Sequence, residues 1–267
     1  MALLLKALNL LDATLAGRTA VRVARDVPFG VHPRQRLDIY APRRRPAGDR
    51  PVLVFFYGGN WDSGDKHDYA FAGRAFAAMG HVAVLPDYHH THEQPYPAFM
   101  ADAAGALDWV RAHVREHGGD PRRIAVAGHS AGAYIAVSLA LDRSWGAADS
   151  IRAGIGLAGP YDFLPFDSPV TRRTFGHADD LPATQPVNHV RPDAPPLLLA
   201  TGDADTTVHP RHSETLAARL REAGAEAELV LYPGLTHTGP VKAIARPFRR
   251  HAPVLRDIAG FLGRQGL

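Results

Sequence analysis

Alternation constrains this chain more than any other feature. Six short apolar runs, Val52–Phe56, His81–Leu85, Arg123–Ala127, Ile151–Leu157, Leu197–Ala200 and Glu228–Tyr232, carry the composition of strands. Between and after them lie segments with helical spacing or small-residue content: His67–Met79, Ala98–His117, Ala131–Leu141, Arg211–Glu222 and His251–Leu262. Alternation of this kind demands a mostly parallel sheet with helices on both faces, because a parallel crossover needs a helix and both sheet faces must then be covered. The expected fold class is therefore α/β. Two earlier strands, Val21–Val27 and Arg36–Tyr40, precede the alternating part. A chain of 267 residues with 46% hydrophobic content suits one large core.

The alternation breaks once. Residues 162–193 hold five prolines and no clear period, as expected for a cap inserted into a single domain that runs over 21–267. Residues 1–20 form a separate expected segment, a helix with Leu4, Leu8, Leu11 and Leu15 on one stripe. Two roles stand open for it: packing on the domain, or sitting at a membrane or homodimer surface. The run is broken by Lys6, Asn9 and Asp12 and is too short to span a bilayer. It also lacks the strong basic flank and uninterrupted apolar stretch of an export signal, which leaves export and peripheral membrane association as the weaker alternatives. With no cysteine, the chain has no disulfide, thiolate nucleophile or cysteine metal site, which agrees with a cytoplasmic location. The net charge of +3 is spread along the chain, so no nucleic-acid partner is expected.

In such a sheet, ligands meet the carboxyl ends of the strands. After the third expected parallel strand comes Gly128-His129-Ser130-Ala131-Gly132, a G-x-S-x-G run between strand and helix. Small flanking residues let the chain turn sharply and lift the Ser130 hydroxyl above the sheet, where it can serve as a nucleophile. A plain helix N-cap is the competing role. A serine nucleophile needs a histidine base and an orienting carboxylate, in the chain order serine, acid, histidine. Asp205, after Leu197–Ala200, and His237, after Glu228–Tyr232, fall in that order. Asp203 competes with Asp205, and His209 with His237. Tyr57-Gly58-Gly59-Asn60-Trp61 follows the first strand of the alternating part. Two glycines there free the backbone N–H groups of Gly59 and Asn60 to face, with that of Ala131, the oxyanion of an acyl-transfer reaction. Trp61 either walls the pocket or anchors the loop.

In these motifs, with Asp87-Tyr88 between them, the sequence resembles the α/β-hydrolase superfamily. Within it the chain is most similar to the hormone-sensitive-lipase-like carboxylesterases and the arylformamidase (kynurenine formamidase) group, over nearly its whole length. The resemblance implies an α/β-hydrolase fold and a serine esterase working through Ser130, His237 and Asp205 on esters of short to medium acyl chain. No cofactor is expected, and no metal, because His89, His90 and His92 lie in a short loop with no obvious ligand geometry. An arylformamidase-type hydrolase of N-formyl amides such as N-formylkynurenine is the alternative, and further classes are a non-catalytic binder and a membrane-recruited lipase. Two departures stand out. Tyr57 replaces the usual histidine of the glycine loop, and His89-His90-Thr91-His92 precedes Glu93 where the family has other residues. In the cap, Phe163, Leu164, Phe166 and Phe175 are expected either to line an acyl pocket or to form a satellite core.

Overall fold

Eight strands form one sheet in the order β1-β2-β4-β3-β5-β6-β7-β8. The computed structural model describes residues 8–13, 19–44 and 48–267. Strands β1 (Ala20–Pro28) and β2 (Arg36–Pro42) pair antiparallel to each other, and β2 pairs antiparallel to β4. From β3 (Arg50–Phe56) and β4 (Val82–Pro86) through β5 (Gly119–His129), β6 (Ile151–Leu157), β7 (Leu197–Gly202) and β8 (Ala227–Tyr232), all pairs are parallel. The central strands are buried on both faces, which is why they read as unbroken apolar runs rather than as alternating ones.

The strand order reverses at β3: β4 lies on one side of it and β5 on the other. A crevice opens at such a point because successive crossovers leave in opposite directions. Phe56 pairs with Gly128 across β3 and β5, so the two loops that follow emerge side by side. Gly202 pairs with Tyr232 across β7 and β8, bringing the next two loops together.

Helices α1 (Ala70–Ala78), α2 (Ala98–His113), α3 (Ala131–Leu141), α4 (Pro169–Phe175), α5 (Arg211–Glu222), α6 (Gly239–Lys242) and α7 (Val254–Arg264) flank the sheet, with α4 inside the proposed cap, residues 162–193. Every residue of α3 is buried. Its alanines and Gly132 let it lie between the sheet and the cap, where large side chains would not fit. The helix expected over 98–117 ends earlier: a 3-10 turn, Val114–His117, closes on Gly118 at φ +81°, a left-handed conformation that glycine accepts without strain. Strand β5 starts earlier than expected, because Gly119 pairs with Arg50 ahead of an irregularity in register.

The described part of the N-terminal segment docks on the domain through Leu8 and through polar side chains. Leu8 is buried, whereas Leu11 is exposed; Leu4 and Leu15 lie outside the described residues. Polar side chains complete the contact. Asn9 donates to the carbonyls of His67 and Asp68 and accepts from the Phe71 N–H, while Asp12 pairs with Arg74 at 2.8 Å and accepts from the Arg246 N–H. Among the described residues, no helix is long and apolar enough to cross a membrane.

Residues 162–193 contain α4 and two 3-10 turns, Pro182–Thr184 and Pro186–His189. Tyr134 on α3 donates to the Thr184 carbonyl at 2.7 Å, and Arg191 donates to the Ala140 and Leu141 carbonyls that end α3. This segment is thus bound to the helix beneath it at both ends of α3.

Candidate active site

Ser130 takes the N-cap position of α3, with φ +55° and ψ −121°, yet its hydroxyl makes no capping bond. It donates instead to His237 Nε2, 2.9 Å away. The tight turn that achieves this depends on its neighbours. A Cβ on Gly128 would lie 2.1 Å from the Gly132 carbonyl oxygen, and one on Gly132 would lie 2.1 Å from that of Phe56. Both are impossible contacts, so the outer positions of G-x-S-x-G accept only glycine here.

His237 Nδ1 donates to Asp205 Oδ2 at 2.8 Å. Asp205 Oδ1 accepts from the N–H groups of Thr207 and Val208 at 2.9 and 3.0 Å. Burial pushes the Asp205 carboxyl up, but these three donors, His237 foremost, more than offset it and hold the group below its usual value. Asp203 is exposed and accepts from the Gly234 N–H at 2.7 Å, tying the loop after β7 to the loop after β8. His209 is exposed at the cleft rim and lies outside the hydrogen-bonded chain of Ser130, His237 and Asp205.

The glycine loop faces the serine across the switch point. A Cβ on Gly58 would sit 2.8 Å from the His129 carbonyl oxygen and 3.0 Å from Ser130 Cβ. Gly59 (φ +153°) is closed by Ser63, whose carbonyl a Cβ would meet at 2.0 Å, and Asn60 and Trp61 both take φ +57°. The Gly59 carbonyl accepts from the Asp62 and Ser63 N–H groups, closing the turn. As the first residue of α3, Ala131 has no acceptor for its N–H inside the helix. Tyr57 braces the loop: its ring stacks on Tyr88 at 4.4 Å, and Tyr88 Oη donates to the Tyr57 carbonyl at 2.8 Å.

A cleft of about 920 Å³ opens beside Ser130, lined by Asn60, Trp61, Ala131 and Pro160 and, from the cap, by Phe163 and Leu164. Phe175 is fully buried among Trp61, Tyr134 and Phe163, with Trp61 edge-on at 5.0 Å. Of the four apolar cap residues, then, Phe163 and Leu164 line the cleft, Phe175 belongs to the core and Phe166 packs against it. Trp61 both walls the cleft and anchors the loop, since it is nearly buried. Sequence reasoning missed the polar end of the cleft: Asp162, Thr206, Thr207 and buried His212, whose Nδ1 accepts from the Asp162 N–H at 3.4 Å. It also missed Asp62, which pairs with Arg173 of α4 and with His92, each at 2.8 Å.

The histidines before Glu93 have separate environments. His89 lies against Asp102 at 2.6 Å and stacks on His32. His90, His92 and Glu93 bring ligand-type atoms within 4.8 Å of one another, but the Glu93 carboxylate already holds Arg34 and the His90 N–H. A second cluster, Asp26, Asp38 and His67, is likewise neutralised, by Lys66 and Arg22.

A parallel sheet with a serine at the turn after its central strand, a histidine after the last strand and a carboxylate after the one before defines the α/β-hydrolase fold. Solved structures share it. A carbohydrate esterase from gut microbiota, in truncated form, superposes with a TM-score of 0.81 over 93% of this chain and 97% of its own at 20% identity, and it speaks for the fold alone. Thermogutta terrifontis esterase 2, phosphonylated by sarin, does so with a TM-score of 0.73 at 26% identity, over 86% of this chain and 90% of its own. The chain belongs to the BD-FAE family, whose model matches residues 37–220. It is 31% identical over 243 residues to a probable isoprenylcysteine alpha-carbonyl methylesterase of Oryza sativa subsp. japonica. That match takes in 81% of this chain and 58% of the relative, so the chain spans little more than half of that protein's length.

Proposed function

We propose that this chain is a carboxylic ester hydrolase with Ser130 as nucleophile, His237 as base and Asp205 as its orienting acid. The observation that carries the reading is the hydrogen-bonded line Ser130 Oγ, His237 Nε2, His237 Nδ1, Asp205 Oδ2, with contacts of 2.9 and 2.8 Å at its two ends. Esters are preferred to formyl amides because the similar proteins reported above are named esterases.

Ser130 Oγ attacks the ester carbonyl carbon while its proton passes to His237 Nε2. The carbonyl oxygen takes the negative charge and meets the N–H groups of Gly59, Asn60 and Ala131. Collapse of the tetrahedral intermediate breaks the bond to the alcohol oxygen, which receives the proton from His237. Water then attacks the acyl-enzyme, giving its proton to His237, and the second collapse releases the carboxylic acid and returns the proton to Ser130. Asp205 fixes the histidine tautomer and stabilises its cationic form. The reading extends to short and medium acyl chains: Trp61 and Phe163 offer an apolar wall, and Tyr134 and Phe175 fill the space behind it.

The test is hydrolysis of p-nitrophenyl acetate, butyrate and palmitate by wild type and Ser130→Ala. The expected result is turnover of the two shorter esters that falls by about 10⁴-fold or more in the variant. Full turnover by Ser130→Ala would overturn the triad. Palmitate as the best substrate would overturn the chain-length reading.

A further inference from the structure

Directly beneath the proposed nucleophile lies an imidazole that the reaction does not use. His129, the last residue of β5, is 1% exposed. Its Nε2 is 3.1 Å from the backbone carbonyl oxygen of His237. A carbonyl can only accept, so this nitrogen carries a proton and donates. Its Nδ1 is 3.1 Å from Tyr69 Oη. Burial, with the His237 ring as the next cause, pushes the His129 pKa down to about 3, so the ring is neutral at working pH. Nδ1 is then a lone pair and accepts the Tyr69 hydroxyl proton. Gly58 packs directly on His129: a Cβ there would lie 2.8 Å from the His129 carbonyl oxygen and 2.9 Å from its Nδ1.

Two of these contacts form one hydrogen-bonded line, Tyr69 O–H to His129 and His129 N–H to the His237 carbonyl, and Gly58 lies in close contact with its middle. The line starts on Tyr69 at the head of α1, is touched midway by the loop proposed to hold the oxyanion, and ends on the residue proposed as base. It passes through the residue covalently joined to Ser130. On the reading that Ser130, His237 and the Gly58-Gly59-Asn60 loop form the reacting site, we infer that His129 is a positioning residue that holds the base loop and the oxyanion loop at fixed distances from the nucleophile.

The chemistry explains why a histidine fits there. The tether needs a donor at one end and an acceptor at the other, on a rigid frame, at a fully buried position. A neutral imidazole supplies both. Phenylalanine keeps the volume and supplies neither; glutamine supplies both on a flexible stem. The other side of the base loop has its own ties, the Asp203 carboxylate to the Gly234 N–H at 2.7 Å and the Ala204 N–H to the Leu235 carbonyl at 3.2 Å. Those act from β7. His129 acts from β5, and among these tethers it also reaches the glycine loop.

The experiment compares His129→Phe, His129→Gln and Tyr69→Phe with wild type on p-nitrophenyl butyrate, with kcat and KM resolved and folding checked by circular dichroism and thermal melting. Misplacement of reacting groups by about 1 Å costs on the order of 10²-fold. The expected result is a kcat for His129→Phe lowered by about that factor with KM within about threefold, since the tether bears on geometry in the reaction rather than on substrate contact. His129→Gln recovers about a tenth or more of wild-type kcat, and Tyr69→Phe, which cuts one link and leaves the other, falls about tenfold. A folded His129→Phe with wild-type kcat overturns the inference, as does a lowered melting point with kcat kept. If His129→Phe does not fold, Tyr69→Phe decides alone: unchanged kcat overturns the tether. Ser130→Ala, run alongside, separates the two levels. Lost turnover there leaves the triad reading standing whatever His129 does, and retained turnover overturns both.

Discussion

The two walls of the cleft are built from different interactions. On the base side, Ser130, His237, Asp205 and His129 are joined by buried hydrogen bonds, and the groups involved are neutral or paired. On the cap side, the glycine loop meets α4 through Asp62 and Arg173, with side chains 31% and 53% exposed. Buried hydrogen bonds are little affected by salt but expose the fold to proton uptake. Exposed ion pairs are screened by salt and contribute only about 0–1 kcal/mol each. The contrast separates a half that carries the proposed nucleophile on buried hydrogen bonds from a half held by exposed ion pairs.

The sharpest test of the base side sets its two aspartates against each other. Asp205→Asn is expected to lower kcat by about 10⁴-fold, because the amide no longer fixes the histidine tautomer. Asp203→Asn, which alters only a turn contact, should stay within about threefold. Steady-state kinetics on p-nitrophenyl butyrate reads both, and equal losses would break the distinction.

Gly58→Ala probes where the walls meet. Its methyl would press on the His129 carbonyl at 2.8 Å, and the loop must then move away from Ser130. A kcat loss of about 10²-fold with little change in fold is expected; kcat near wild type would show that the loop yields freely.

Acid should strike the base side. His129 titrates at about 3 when folded and near 6.5 when unfolded, so below pH 6.5 the unfolded chain binds the extra proton. Stability is then fully present above that value and is lost as pH falls toward the folded one. Between pH 8 and pH 5 the loss from this residue is about 2 kcal/mol. Urea denaturation at the two pH values measures it, and the loss should shrink by that amount in His129→Gln. An unchanged difference in the variant would mean that other groups carry it.

The smallest effect belongs to the cap side. Asp62→Ala should change KM by about two- to fivefold and leave kcat nearly untouched. About 0.5 M salt should reproduce that change in wild type and have no further effect on the variant. A kcat loss of 10²-fold would place Asp62 with the base side.

The same contrast divides what was legible in the sequence from what was not. The parallel sheet and the loops after its strands followed from alternation alone. Ser130, Asp205 and His237 stood out because their types and order are constrained, and the structure brings those three side chains into contact. The contacts of His129 could not be read from its motif, because its partners are a backbone carbonyl 108 positions away and a tyrosine 60 positions away, and neither leaves a pattern in a linear string. Asn9 and Asp12 appeared to interrupt an apolar stripe, yet together with buried Leu8 they make the contacts that dock the segment. Phe163 and Phe175 are alike in type and both join the core, and only packing gives Phe163 a second face on the cleft.

The backbone angles at Ser130 imply that reactivity and robustness pull against each other at this position. A side chain at φ +55° and ψ −121° is held against its own preference, at a cost of about 1–3 kcal/mol. Glycine would relax there and alanine would not. Of two equally inactive proteins, Ser130→Gly should therefore be the sturdier, by about 1 kcal/mol after its greater unfolded-state entropy is counted. The chain keeps a tensed spring under its proposed nucleophile, and the sturdier inactive form is the one to choose for trapping an intact substrate.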